Sequence, residues 1–80
     1  MSSLPDKLDA IAVDVSINDI FLKVILSDGR EVSTPLAWFP ILFNATEEQR
    51  NNWRFIGKGI GIHWIDLDED ISVSSLLRTS

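Results

Sequence analysis

The sequence contains no cysteine, so neither a disulfide framework nor a thiolate-bound zinc or iron–sulfur centre can be built from it. No uninterrupted apolar run approaches the roughly 20 residues that a membrane-spanning helix needs. The first residues, Met1 to Lys7, lack the apolar segment of a secretory signal peptide. These absences predict a cytoplasmic protein that makes no contact with a membrane.

Positive charge is also scarce in this chain. Seven Lys and Arg residues stand against twelve Asp and Glu residues, which gives a formal net charge of −5. Because nucleic-acid binding depends on clustered basic side chains, we expect no direct contact with nucleic acid. The length of 80 residues and the 45% hydrophobic content suit one small globular domain. We place this domain at residues 10–80, after a flexible lead-in at residues 1–9.

The first half of the chain predicts a three-stranded antiparallel meander over residues 10–34. Apolar residues alternate from Ile11 to Ile17, which indicates a strand with one buried face that includes Val13 and Val15. Residues 20–26 are apolar on both faces, so we expect this second strand to lie centrally. The Asp28-Gly29 pair is typical of a two-residue hairpin turn, after which residues 31–34 return antiparallel.

The second half predicts short helices and further β-like segments. Residues 35–44 form an apolar connection that we expect to place Trp38, Phe39, Leu42 and Phe43 against the sheet. Thr46 to Gln49 matches a capping box, which predicts a helix at about 47–53 with the Trp53 ring inward. We expect β-like segments at 54–56 and 62–65, an acidic loop at 66–70, and a last short helix at 73–77, capped by Ser72. The predicted fold class is therefore α+β: an antiparallel β-meander sheet with short helices packed on one face.

Three of the four glycines lie in the segment Gly57-Lys58-Gly59-Ile60-Gly61. The dinucleotide fingerprint requires G-x-G-x-x-G before a helix, and the phosphate-binding loop requires G-x-x-x-x-G-K-[ST]. This segment matches neither pattern and precedes a β-like run. We therefore interpret its glycines as residues of a turn or bulge, and we predict no cofactor.

The single histidine, His63, precedes an alternating acidic segment with Asp66, Asp68 and Asp70. An EF-hand would require a glycine and a glutamate at places where Ile71 and Leu77 stand. A divalent-metal or small-ligand site built from His63 and this segment is one hypothesis, and a solvated acidic loop is the alternative. Ser33, Thr34 and Ser72 could supply hydroxyl groups to a catalytic His63, but nothing in their spacing marks a nucleophile elbow or a triad, so we do not expect an enzyme.

A protein-interaction surface is the third interpretation of the same region. Arg50 and Arg54 follow each other at helical spacing and form a lesser basic patch. The sequence leaves open whether the three tryptophans are core residues or interface anchors. The predicted partner-binding residues are Trp64, Asp66, Asp68, Glu69, Asp70, Arg50 and Arg54.

Two blocks of residues resemble a known family. The first block contains Asp28-Gly29-Arg30 and Trp38-Phe39-Pro40, and the second contains Gly61-Ile62-His63-Trp64 and the run from Leu67 to Val73. Together they resemble the small prokaryotic family called domain of unknown function 2442, over residues 10–77. The resemblance implies a compact α+β domain, often encoded beside another small protein in a toxin–antitoxin-like pair. It supplies no catalytic residues.

The favoured hypothesis is therefore a non-enzymatic protein-interaction module that binds a small protein partner. Its basis is an acidic domain of minimal size in which no catalytic constellation is visible. The resemblance adds the idea that this chain is one half of a two-protein pair.

Overall fold

The computed structural model describes residues 11–79, so the predicted lead-in at residues 1–9 lies outside the described residues. A single 3-10 turn, Leu36–Trp38, separates the first three strands from the first helix. None of the helices in this range has the length and apolarity to cross a bilayer. The elements are β1 (Ala12–Ile17), β2 (Phe21–Leu26), β3 (Glu31–Pro35), α1 (Pro40–Phe43), α2 (Glu47–Asn51), β4 (Trp53–Ile56), β5 (Gly61–Trp64), β6 (Glu69–Ser72) and α3 (Val73–Thr79).

The α+β class is confirmed, and the strands form two three-stranded antiparallel sheets. The first sheet has the order β1-β2-β3, which confirms the predicted meander and the central place of the second strand. The second sheet is another meander, with the order β4-β5-β6. One hydrophobic core joins side chains of both sheets, including Leu22 and Val24 from the first and Ile62 and Trp64 from the second.

The hairpin loop between β2 and β3 is closed by a hydrogen bond between Leu26 and Arg30 and so encloses three residues, 27–29, which makes the predicted two-residue turn wrong. The amide of Leu26 donates to the carbonyl oxygen of Arg30, and Gly29 has a φ of 95°. A three-residue hairpin places glycine at this left-handed position, as the sequence Ser27-Asp28-Gly29 allows. The backbone amide of Arg30, which donates to the Asp28 carboxylate, lowers the pKa of Asp28, and the Arg30 side chain adds to the effect.

The alternation predicted for β1 is interrupted by a β-bulge. Ala12 pairs with Leu26 and Asp14 pairs with Ile25, so Val13 is the extra residue. A bulge shifts the facing of side chains by one residue, and here it turns Ala12 inward and leaves Val13 53% exposed. The expectation that Val13 shares the buried face of Val15 is therefore wrong.

The connection after β3 is apolar, but only part of it faces the core. Leu42 is fully buried and Phe39 packs against the core, as expected. Trp38 and Phe43 are 55% and 46% exposed, so their predicted burial is wrong. The physical reason is that two very short helical turns meet at Phe39, and such turns can direct only a few side chains inward.

The capping box of α2 is confirmed by two reciprocal hydrogen bonds between Thr46 and Gln49. The helix ends at Asn51, two residues earlier than predicted, because Trp53 already belongs to β4. The Trp53 ring packs against the core and lies 4.9 Å, centre to centre, from the ring of Phe55. Tertiary pairing of β4 with β5 therefore overrides the continuation of the helix.

The predicted acidic loop is divided between a turn and a strand. Residues 65–68 form the turn between β5 and β6, whereas Glu69 and Asp70 belong to β6. The expected loop over residues 66–70 is thus too long. Ser72 caps the last helix as predicted, because its hydroxyl oxygen accepts from the amide of Ser75 at 3.2 Å.

The turn between β4 and β5 packs closely against β1, and this contact explains one of its glycines. Gly59 has a φ of 110°, and a Cβ atom there would lie 2.5 Å from the carbonyl oxygen of Ala12. We expect Gly59→Ala to lower the free energy of unfolding by roughly 2–3 kcal/mol, through backbone strain and this clash. Urea unfolding of both alanine variants is the test. Gly29→Ala is the matched control: its φ is also positive but nothing lies within 4 Å, so its loss should be about 1 kcal/mol. Equal losses would contradict the packing argument.

Thr34 is the one buried polar residue of the described core, and its hydroxyl oxygen has no hydrogen-bond partner among residues 11–79. Thr34→Val replaces the hydroxyl by a methyl group of similar volume and removes an unsatisfied polar atom. We expect the free energy of unfolding to rise by about 1 kcal/mol, measured as a higher urea midpoint with an unchanged slope. Ser33→Ala, at the exposed neighbouring position, should leave the midpoint nearly unchanged. A lower midpoint for Thr34→Val would show that the hydroxyl has a partner.

Candidate partner-binding surfaces

Trp64, one of the predicted partner-binding residues, is a core residue. Its side chain has no solvent exposure, and its indole nitrogen donates to the carbonyl oxygen of Arg50 at 2.9 Å. The residue lies on the inner face of the second sheet, between Trp53 and Glu69 on the neighbouring strands. A buried ring cannot contact a partner of the folded protein, so Trp64 is removed from the predicted surface.

Arg50 is also used inside the molecule. Its guanidinium donates to the carbonyl oxygens of Leu42 and Phe43, each at 2.9 Å, and lies 3.1 Å from the carboxylate of Asp19. These carbonyls end α1, where a cation compensates the unpaired acceptors of the helix. With a side chain only 12% exposed, Arg50 joins three segments of the fold and is removed from the partner surface as well.

An open cavity of about 440 Å³ lies beside Arg50, between the β1–β2 turn and the start of α2. Asp19 and Glu47 place two carboxylates on its wall, and the Arg50 guanidinium, which forms an ion pair with Asp19 at 3.1 Å, lies on the same wall. The lining residues therefore carry a net charge of −1, from two carboxylates and one guanidinium.

Arg54, His63 and Asp70 form a row across the outer face of the second sheet. Arg54 pairs with His63 and His63 pairs with Asp70 in the strand register, so all three side chains point to one face. The Nδ1 atom of His63 lies 2.5 Å from a carboxylate oxygen of Asp70. Arg54 is exposed and makes no hydrogen bond or ion pair within residues 11–79.

The remaining acidic residues do not gather around His63. Asp66 accepts a hydrogen bond from the Asn52 amide, and Asp68 lies in the turn with a φ of 51°. Among residues 11–79, no group of three or more His, Asp or Glu side chains is placed to hold a metal ion. The convergence that the metal hypothesis requires is therefore not present, and the exposed acidic residues remain predictions for partner contact.

The largest exposed apolar side chains lie on or beside two adjoining segments, the β1–β2 turn and the 3-10 turn. An exposed surface there was not predicted from the sequence. The β1–β2 turn and the 3-10 turn are joined by a hydrogen bond from the Leu36 amide to the Ile20 carbonyl oxygen. The large apolar side chains that are exposed on or beside these segments have exposed fractions that range from 37% for Phe21 to 65% for Ile20. The aromatic-rich segment 38–43 was the available signal, but it was interpreted as core. We define the Trp38 surface as Ile20, Phe21, Trp38, Ile41 and Phe43.

Two meander sheets around one core, with no group of side chains placed to hold a metal ion among residues 11–79, give a small α+β fold. The family model described as "Protein of unknown function (DUF2442)" matches residues 10–80. The chain belongs to this family, which confirms the resemblance found in the sequence.

Solved structures show the same fold. A crystal structure of a protein of unknown function from Rhodospirillum rubrum is 25% identical, with a TM-score of 0.75, and the alignment covers 88% of this chain and 87% of that one. An uncharacterised protein from Chromobacterium violaceum, solved by NMR, is 22% identical with a TM-score of 0.71, over 98% of this chain and 85% of that one. No match was found among curated proteins.

Proposed function

We propose that this domain is a protein-interaction module that binds a small protein partner through the Trp38 surface. The observation that supports this proposal is the exposure of Trp38, at 55%, in a part of the fold that carries four other exposed large apolar side chains. Tryptophan is the residue type most enriched among interface residues that dominate binding energy. Exposing such a group to water costs free energy in the isolated chain, and a partner that covers it recovers that cost.

The charge of the domain specifies the partner further. The net charge is −5, and the lining of the cavity beside Arg50, with two carboxylates and one guanidinium, is also net negative. Complementary potentials accelerate association and select partners. We therefore expect a basic partner with an apolar contact region, and the protein encoded beside this one is the first candidate. In that arrangement the chain is one half of a two-protein pair in the cytoplasm.

The acidic residues of the β5–β6 hairpin form the second part of the proposal. Asp66, Asp68 and Glu69 are kept as partner-binding residues because they lie at or beside an exposed turn, together with the exposed Ile65. At the rim of an interface such charges act mainly on the association rate. Charge reversal at Asp68 and Glu69 should slow association at low salt more than it speeds dissociation.

The test is co-purification of the tagged protein with the product of the neighbouring gene, followed by titration calorimetry on the purified pair. Trp38→Ala should weaken binding by at least tenfold, since an interface tryptophan contributes on the order of 2 kcal/mol or more. Ile41→Ala tests the same surface with a smaller side chain. Ile60→Ala is its matched control, because Ile60 is similarly exposed, at 52% against 48%, but lies on the β4–β5 turn.

Chelator is included in a parallel purification, because the metal hypothesis predicts that the complex then dissociates. Equal affinity of wild type and Trp38→Ala for the captured protein would contradict the assignment of the surface. Complete loss of the complex with chelator would contradict a complex that forms without a metal ion.

A further inference from the structure

The outer face of the second sheet is open to solvent and has a distinctive pattern of charge. Arg54 on β4 and Asp70 on β6 lie at opposite edges of one row, with His63 on β5 between them. Asp70 has a 68% exposed side chain and uses one carboxylate oxygen toward His63, which leaves acceptor capacity. The row is therefore positive at the β4 edge and negative at the β6 edge. The two charged residues lie one strand away from β5, on either side of it.

Apolar groups lie above and below this row on the same face. Ile56 and Gly61 occupy the next outward positions of β4 and β5, and Ile65 follows Trp64 at the other end of β5. Ile56 and Ile65 are 40% and 49% exposed. Gly61 has no side chain and is buried, because the Ile56 side chain packs over it: a Cβ atom at Gly61 would lie 3.7 Å from the Cβ atom of Ile56.

We propose that this face pairs two copies of the chain, with Arg54 of each copy bound to Asp70 of the other. The two-fold axis runs parallel to β5, between the two facing sheets. Rotation about such an axis exchanges the β4 and β6 edges, so opposite charges meet at both ends of the row. A two-fold axis perpendicular to the strands would instead place Arg54 against Arg54. The charge pattern thus selects one of the two arrangements.

The same axis places Ile56 of β4 opposite Ser72 of β6 in the second copy. Residues on β5 lie near the axis and meet their own copies. Ile65, the first residue of the turn after β5, continues this line, and we expect it to contact Ile65 of the second copy. Sheets packed face to face keep their strand directions within about 30°, which this axis satisfies. The strands are short, so the interface is below the roughly 1,200 Å² of a standard complex, and we expect a dissociation constant on the order of 10–100 μM.

The test is sedimentation velocity of the full chain over a range of concentrations at about 0.15 M salt, where the repulsion between the two negatively charged chains is largely screened. Wild type should show a monomer–dimer equilibrium. Arg54→Glu and Asp70→Arg should each weaken self-association by at least tenfold, because each places two like-charged pairs in the interface. An equimolar mixture of these two variants should form a heterodimer with an affinity near that of wild type, since every charged pair across it is again opposite.

Arg30→Glu is the matched control, because it changes the net charge as Arg54→Glu does but lies on the β2–β3 turn. It should dimerise like wild type, and circular dichroism should show that all variants are folded. Trp38→Ala should also dimerise like wild type, so this inference and the proposed function fail independently. A wild type that is monomeric up to about 1 mM, or a mixture that does not associate, would overturn the proposal.

Discussion

Trp64→Ala should lower the free energy of unfolding by about 3–5 kcal/mol, the largest loss that we expect from a single substitution in this chain. The substitution removes a fully buried indole ring and leaves a large cavity between the two sheets. It also leaves the carbonyl oxygen of Arg50 without its donor. Because a domain of this size has a total stability of roughly 4–12 kcal/mol, the variant should be partly or fully unfolded at 37 °C.

Trp38→Ala is the matched control for this prediction, since it removes the same side chain from a 55% exposed position. Its free energy of unfolding should stay within about 1 kcal/mol of wild type. Urea unfolding followed by far-ultraviolet circular dichroism measures both variants without depending on tryptophan fluorescence. Trp64→Phe keeps an aromatic ring but loses the indole donor. Its loss of free energy of unfolding should lie between the losses for Trp38→Ala and Trp64→Ala. Similar losses for Trp38→Ala and Trp64→Ala would contradict the different burial of the two rings.

Arg50→Met should lower the free energy of unfolding by about 2–4 kcal/mol. Methionine keeps much of the apolar stem but removes the guanidinium, so the carbonyl oxygen of Phe43 loses its donor and that of Leu42 keeps only backbone donors such as the Ala45 amide. Hydrogen bonds to a charged group contribute about 1.5–3 kcal/mol each, and two bonds to one group are not fully additive. The contact with Asp19 adds little, because that carboxylate is 96% exposed.

Arg54→Met is the matched control, because Arg54 is exposed and makes no hydrogen bond or ion pair within the described residues. Its effect on stability should stay within about 0.5 kcal/mol. Urea unfolding at neutral pH compares the two variants, and Arg50→Lys adds a further check. Lysine keeps the charge but cannot reach both carbonyl groups and Asp19 with one planar group, so it should recover only part of the loss. Full recovery by lysine would show that charge alone, and not the fork geometry, stabilises this junction.

Both predictions concern residues that the sequence placed in a partner-binding surface. Trp64 was predicted as an interface anchor, and Arg50 as part of a basic patch at helical spacing with Arg54. The indole of tryptophan combines a large apolar ring with one hydrogen-bond donor, and the guanidinium of arginine is a planar group with five donors. Both side chains are equally useful inside a small domain. Which use applies depends on the tertiary fold, and in this protein α2 and β5 bring Arg50 and Trp64 inward.

For the candidate surfaces the error was the opposite one, because residues that were predicted to be buried are exposed. Trp38 and Phe43 were predicted to lie in the core, because an aromatic-rich connection normally covers a sheet. The core of this domain is filled instead by smaller side chains such as Leu36 and Leu42, both fully buried. The row of Arg54, His63 and Asp70 could not be seen in the sequence either, since it depends on the pairing of three strands. The period of the sequence predicts which face of the sheet a residue lies on. It does not predict which residues of the neighbouring strand lie beside it.

The sequence by itself determined the parts of this protein that depend on local interactions. The meander of the first three strands, the turn at Gly29, the capping box of Thr46 and Gln49, and the Ser72 cap all follow from short-range patterns. Family membership follows from two motif blocks. Tertiary structure alone decided the division into two sheets, the bulge at Val13, the burial of Trp64 and Arg50, and the exposure of Trp38. These features arise from contacts between residues that are distant in the chain, and the free energy of those contacts is not encoded in any one segment.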